Sequence, residues 1–135
     1  MLKKTLIGIV LFLVGIQFIS VDKTNPPVDQ SIALSTDTKV MDILKNSCYD
    51  CHSNETKWPS YSSVAPISFF VASHVNSGRK ALNFSNYKEI DPKIKKQRLK
   101  RAIKTVNNEM MALPSYVSVH DNAKLNKADK AKLTQ

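Results

Sequence analysis

Apolar residues fall along the chain in distinct blocks. The first is a continuous run from Leu6 to Val21, interrupted only by Gln17, Ser20 and two glycines, with Lys3 and Lys4 ahead of it. A charged start followed by an apolar run is the pattern of an export segment. About 20 residues cross a hydrocarbon core. Residues 1–21 are therefore expected to form an apolar anchor helix with Thr5 and Asp22 in the interface, or a signal removed after export. The two lysines would stay on the cytoplasmic side, placing the rest of the chain in the periplasm. No cysteine follows the run, which excludes a lipoprotein signal. Residues 22–35 are polar, contain Pro26-Pro27, and read as an extended linker.

From residue 36 onwards the pattern is helical. Val40, Ile43 and Leu44 share one face behind the capping candidates Ser35, Thr36 and Asp37, and this helix runs into Cys48. Pro66 suits a first helical turn. Ile67, Phe70, Val71, His74 and Val75 then recur at helical spacing, with Gly78 as the expected stop. A third helix opens at Asp91-Pro92, carries Ile94, Leu99, Ala102, Ile103 and Val106 on its apolar side, and ends at Asn107-Asn108. A short helix is expected from Asn126, with Asp129 placed to close a capping box. No stretch alternates with period two. The fold class is all-α, with one domain over residues 36–135.

Composition narrows this further. At 135 residues the chain supports one compact domain, and three glycines argue against a turn-dense β fold. Twenty Lys and Arg against 11 acidic residues give +9, a balance suited to an acidic protein or an anionic surface. Nucleic acid is not expected as a partner of an exported chain. Seven basic residues lie between Lys93 and Lys104. They form a solvated helix face or a docking surface for an acidic redox partner.

The chemistry concentrates in Cys48-Tyr49-Asp50-Cys51-His52. Cys-x-x-Cys-His is the pattern of covalent haem c attachment. Each thiol adds to one vinyl group, and the spacing puts both sulfurs on one side of a helical turn. His52 then presents its imidazole to the iron. Attachment takes place outside the cytoplasm, in agreement with the export segment. A thiol redox pair would expect a βαβ setting that this chain lacks. A structural zinc would need Cys48, Cys51 and two of His52, His74 and His120 to converge.

The second axial ligand of the iron has several candidates: Met41, His74, Met110, Met111 and His120. Met111 leads, because Met111-Ala112-Leu113-Pro114 reads as a turn that returns across the ring. A thioether there raises the potential and a second imidazole lowers it, while an open position permits ligand binding. Trp58, Tyr61 and Arg79 are candidate hydrogen-bond donors to the haem propionates, or packing residues.

The stretch from Cys48 to Leu125 resembles the small haem-binding domain family of monohaem c-type cytochromes from bacterial membrane-anchored and periplasmic proteins. The resemblance is carried by Cys48-Tyr49-Asp50-Cys51-His52-Ser53-Asn54, Trp58-Pro59, Tyr61-Ser62, Ala65-Pro66, His74-Val75 and Gly78-Arg79. It continues through Leu82-Asn83-Phe84-Ser85, Met111, Leu113-Pro114-Ser115-Tyr116, His120 and Ala123-Lys124-Leu125. It implies a cytochrome c-like helical domain around one covalent haem, with His52 as proximal ligand and Met111 in place of the family's Met-Pro methionine. The chain departs from the pattern at Ala112, where the family has that proline, and at Ser60 and Tyr87, where tryptophan is common. Its last helix also stops early.

The expected function is electron transfer through one haem c iron, with no substrate chemically changed and so no enzyme activity. The alternative is a haem-based sensor or peroxidase-like module with a displaceable ligand.

Overall fold

The computed structural model describes residues 1–134. Their regular structure consists of seven α-helices and short 3-10 turns, with no strand among the described residues. The all-α expectation holds.

Helix α1 (Leu2–Gly15) has 14 residues, none of them buried, and passes into a 3-10 turn over Ile16–Phe18. At 1.5 Å per residue it extends about 21 Å, against a hydrocarbon core of about 30 Å. No helix of the described residues is long and apolar enough to cross a membrane. This corrects the expectation of a spanning anchor helix over residues 1–21. Gln17 shows the physical reason. Its Nε2 donates to the carbonyls of Leu13 (2.8 Å) and Ala65 (3.0 Å), and its Oε1 accepts from Ala65 N–H (2.9 Å). The chain is therefore tied to the domain where a spanning helix would have continued.

Residues 22–35 are without helix until a turn near residue 30, and they lie along the domain rather than standing clear of it. Lys23 Nζ donates to Ser63 Oγ (2.8 Å), Asn25 Nδ2 to the Thr56 carbonyl (2.9 Å), and Leu34 N–H to the Phe84 carbonyl (2.8 Å). Arg79 fastens the strap. Its guanidinium donates to the carbonyls of Ser53 and Thr24, to Asn25 Oδ1 and to Thr56 Oγ1, at 2.7–3.0 Å. These four acceptors draw two separate segments, Thr24–Asn25 and Ser53–Thr56, onto one planar cation on α4.

Helix α2 (Thr38–Ser47) opens with Asp37 accepting from Lys39 N–H, then breaks at Cys48 into the single turn α3 (Tyr49–His52). Tyr49 stacks on Phe84 at 5.4 Å between centroids, and with Leu44 and Leu82 these rings form the buried centre. Helix α4 (Ile67–Ala81) crosses α3. Helix α5 (Pro92–Asn107) starts at Asp91, whose carboxylate accepts from Lys93 and Ile94 N–H. It buries no residue completely. Helix α6 (Pro114–Val117) is a single turn. Helix α7 (Lys127–Leu133) opens with the expected Asn126–Asp129 capping box, packs on α2 and α5, and brings Leu133 to the core.

The α4 stripe differs from the sequence expectation. Val75 is buried as expected, but it is joined by Ser68, Ala72 and Gly78, whereas Ile67 and Phe70 are exposed. Small residues let this helix approach α3 closely, and the larger apolar ones turn elsewhere. Gly78 also lies inside the helix, which continues to Ala81, rather than at its end.

Arg79→Ala should release the strap. Each lost charge-assisted bond is worth about 1.5–3 kcal/mol before compensation by water. Limited proteolysis should cut residues 22–30 at least about tenfold faster in the variant than in the parent.

Candidate cofactor site

Cys48, Cys51 and His52 come from the α2–α3 break. The Cys48 carbonyl accepts from Cys51 N–H (3.2 Å) and His52 N–H (2.9 Å), so the three residues wind through one tight turn. They face an open, largely apolar cavity of about 230 Å³. Its other walls are the α4 face carrying His74, Ser77, Gly78 and Ala81, and the segment Met111–Leu113 with Tyr116.

Gly78 makes this arrangement possible. A Cβ there would overlap the carbonyl oxygen of Cys51 and lie 2.9 Å from its carbon. Helix α4 therefore rests directly on the backbone of the Cys-x-x-Cys-His turn. Only glycine fits a contact this close.

His52 is oriented by the chain itself. Its Nδ1 lies 2.9 Å from the Leu82 carbonyl, which fixes Nδ1 as the protonated nitrogen and leaves Nε2 with a free lone pair. Burial holds the imidazole below the usual histidine range, against the pull of the Leu82 and Gly78 carbonyls. A neutral imidazole is the form that binds a metal. Burial likewise pushes the Cys48 thiol up to about 12, with Cys51 adding to the effect, and the Cys51 thiol up to about 11. Both sulfurs are therefore protonated at neutral pH and unbridged.

The structure sorts the remaining candidates. Met111 and His74 line the same cavity as Cys48, Cys51 and His52. Met110 is exposed and does not line it, Met41 packs against the core, and His120 belongs to a neighbouring cleft. The His74 ring packs edge-on against Phe70 at 4.2 Å, with Nδ1 2.8 Å from the Phe70 carbonyl. A zinc site is not assembled: no group of three or more metal-binding side chains converges among the described residues.

The three candidate propionate donors separate as well. Arg79 spends four of its five N–H donors on the strap, which ties its guanidinium to that role. Tyr61 packs edge-on against His120 at 6.0 Å. Trp58 Nε1 is buried with no partner among the described residues, in a second cleft of about 300 Å³ that also presents Lys45 and Lys57. Asp50 and Tyr116 belong to both clefts. Sequence reasoning missed this pair, the Leu82 carbonyl and the close contact at Gly78. Each is a long-range pairing with no local spacing signal.

The haem-binding domain family matches residues 11–135 of the chain. The chain belongs to that family and is a haem protein. No curated protein and no solved structure matches it. The residues around the cavity fit haem on their own chemistry: two thiols three positions apart, an imidazole with Nε2 free, a facing thioether and apolar walls.

Gly78→Ala should misalign α3 and α4. Overpacking of this kind costs about 1–3 kcal/mol, and here the obstacle is backbone that cannot rotate away. The thermal midpoint of the haem-loaded variant should fall by several degrees relative to the parent.

Proposed function

We propose that this protein is a monohaem c-type cytochrome that carries electrons at the outer face of the cytoplasmic membrane. One observation carries the reading: Cys48, Cys51 and His52 face, from one turn, the cavity that Met111 lines. Haem supplies a one-electron ferric–ferrous couple when bound. Cys48 and Cys51 would hold the group through thioether links to its vinyl carbons, which would prevent its loss. His52 would offer Nε2 to the iron, with the Leu82 carbonyl holding the ring and raising its basicity. Met111, which lines the same cavity, would offer its thioether as a further ligand, a donor that favours ferrous iron and a high potential. Trp58 Nε1, buried and unpartnered, suits a propionate oxygen.

Apolar walls beside the iron would disfavour the extra charge of its ferric form. The basic side chains between Lys93 and Lys104 are suited to an acidic redox partner, and such charges raise the encounter rate at low salt. Export and association with the outer membrane face are supported by Lys3 and Lys4 ahead of the exposed apolar side chains of α1.

After expression with haem-attachment machinery, a denaturing gel should stain for haem, and intact mass should include one porphyrin. Cys48→Ser combined with Cys51→Ser should abolish the stain. Met111→Ala should keep the stain, lose the weak red-end methionine–iron band of the ferric protein, and let the reduced protein bind carbon monoxide rapidly. Rapid carbon monoxide binding by the unmutated protein would instead favour the sensor reading.

A further inference from the structure

The segment that carries Met111 has few anchors of its own. Met110 and Met111 N–H both rest on a single carbonyl, that of Thr105, at 2.9 and 3.3 Å. Helix α6 beyond them is one turn with no buried residue. The link from this segment to the Cys-x-x-Cys-His turn runs through one side chain: the Tyr116 hydroxyl donates to Asp50 Oδ2 at 2.6 Å.

Asp50 is itself held on several sides. Its Oδ1 accepts from Lys57 N–H (3.0 Å), and its carbonyl accepts from Thr56 Oγ1 (2.7 Å). Tyr116 is backed by His120, whose ring stacks on it at 4.1 Å with an interplanar angle of 16°. Burial and the neighbouring Asp50 carboxylate push the Tyr116 hydroxyl well above the usual tyrosine range, so it stays a donor. The pair also stands between the two clefts, since both residues line each of them.

We propose that Asp50 and Tyr116 are positioning residues. Their hydrogen bond holds the Met111 segment over the cavity and closes the wall between the haem cleft and the solvent-open cleft beside it. Neither residue touches the iron in this assignment. They act by limiting how far the Met111 segment swings away and how readily an outside ligand reaches the position it guards. The proposal rests on Met111 as the ligand opposite His52.

The test uses the haem-loaded full chain and free imidazole, which competes with Met111 for ferric iron. Tyr116→Phe retains the ring and its stack on His120 but removes the donor. A charge-assisted hydrogen bond is worth enough that imidazole should bind about tenfold more tightly to this variant. The methionine–iron band should weaken, while far-ultraviolet circular dichroism stays unchanged. Asp50→Asn should move both readouts in the same direction. If that variant fails to mature, being inside the attachment motif, Tyr116→Phe decides alone.

A residue needed only for stability would lower the thermal midpoint and leave imidazole affinity where it was. Affinity and band within twofold of the parent in Tyr116→Phe would overturn the proposal. If Met111→Ala removes the band while Tyr116→Phe does not change it, the positioning role alone fails. If the parent has no such band and Met111→Ala binds imidazole no better, the ligand assignment fails and the proposal with it.

Discussion

The contact between Gly78 and the backbone of Cys51 is the constraint on which the arrangement depends. Without a side chain at that position, α4 lies against the turn that carries both thiols and the imidazole. Three consequences follow. The α4 face bearing His74, Ser77 and Ala81 becomes a cavity wall. The chain leaving α4 passes close enough for the Leu82 carbonyl to hold His52 Nδ1 at 2.9 Å. Arg79, the next residue, is placed to collect Ser53, Thr24, Asn25 and Thr56 on one guanidinium.

Helix caps were legible in the sequence because they are local. Asp37, Asp91 and Asn126 all cap where their spacing predicts, and Asp129 completes its box. The Cys-x-x-Cys-His pattern is local too, and its cysteines and histidine do meet in one turn on one cavity. What periodicity did not reveal is which apolar stripe faces protein. On α4 the large apolar positions suggested a core face, yet of these Val75 is buried while Ile67 and Phe70 are exposed, and the small residues Ser68, Ala72 and Gly78 are buried instead. The rule that large apolar residues mark the inside fails where two backbones meet closely, since only small residues allow that approach.

The N-terminal third shows the same limit. Pro26-Pro27 and polar neighbours read as a spacer, and the segment has no helix or strand. Its attachment to the domain depends on Gln17, Lys23, Asn25 and Leu34 finding partners 31–50 residues away, among them Ala65, Ser63, Thr56 and Phe84. No sequence window contains both ends of such a bond. The Asp50–Tyr116 pair, 66 residues apart, was hidden for that reason too. Among the axial candidates, neighbours in sequence were separated only in space: Met111 lines the cavity, while Met110 is 58% exposed.

The cavity has one further consequence, for how the protein is made. Tyr49, Phe84, Leu44 and Leu82 fill one side of the Cys-x-x-Cys-His turn, and on the other side the chain provides walls around a hollow. The polypeptide thus supplies only part of its own interior, and the porphyrin would supply the remainder. A chain without haem keeps that hollow and lacks the contacts that would fill it. Haem binding and completion of the interior are then coupled, and colourless chains would be the ones most easily recognised and degraded.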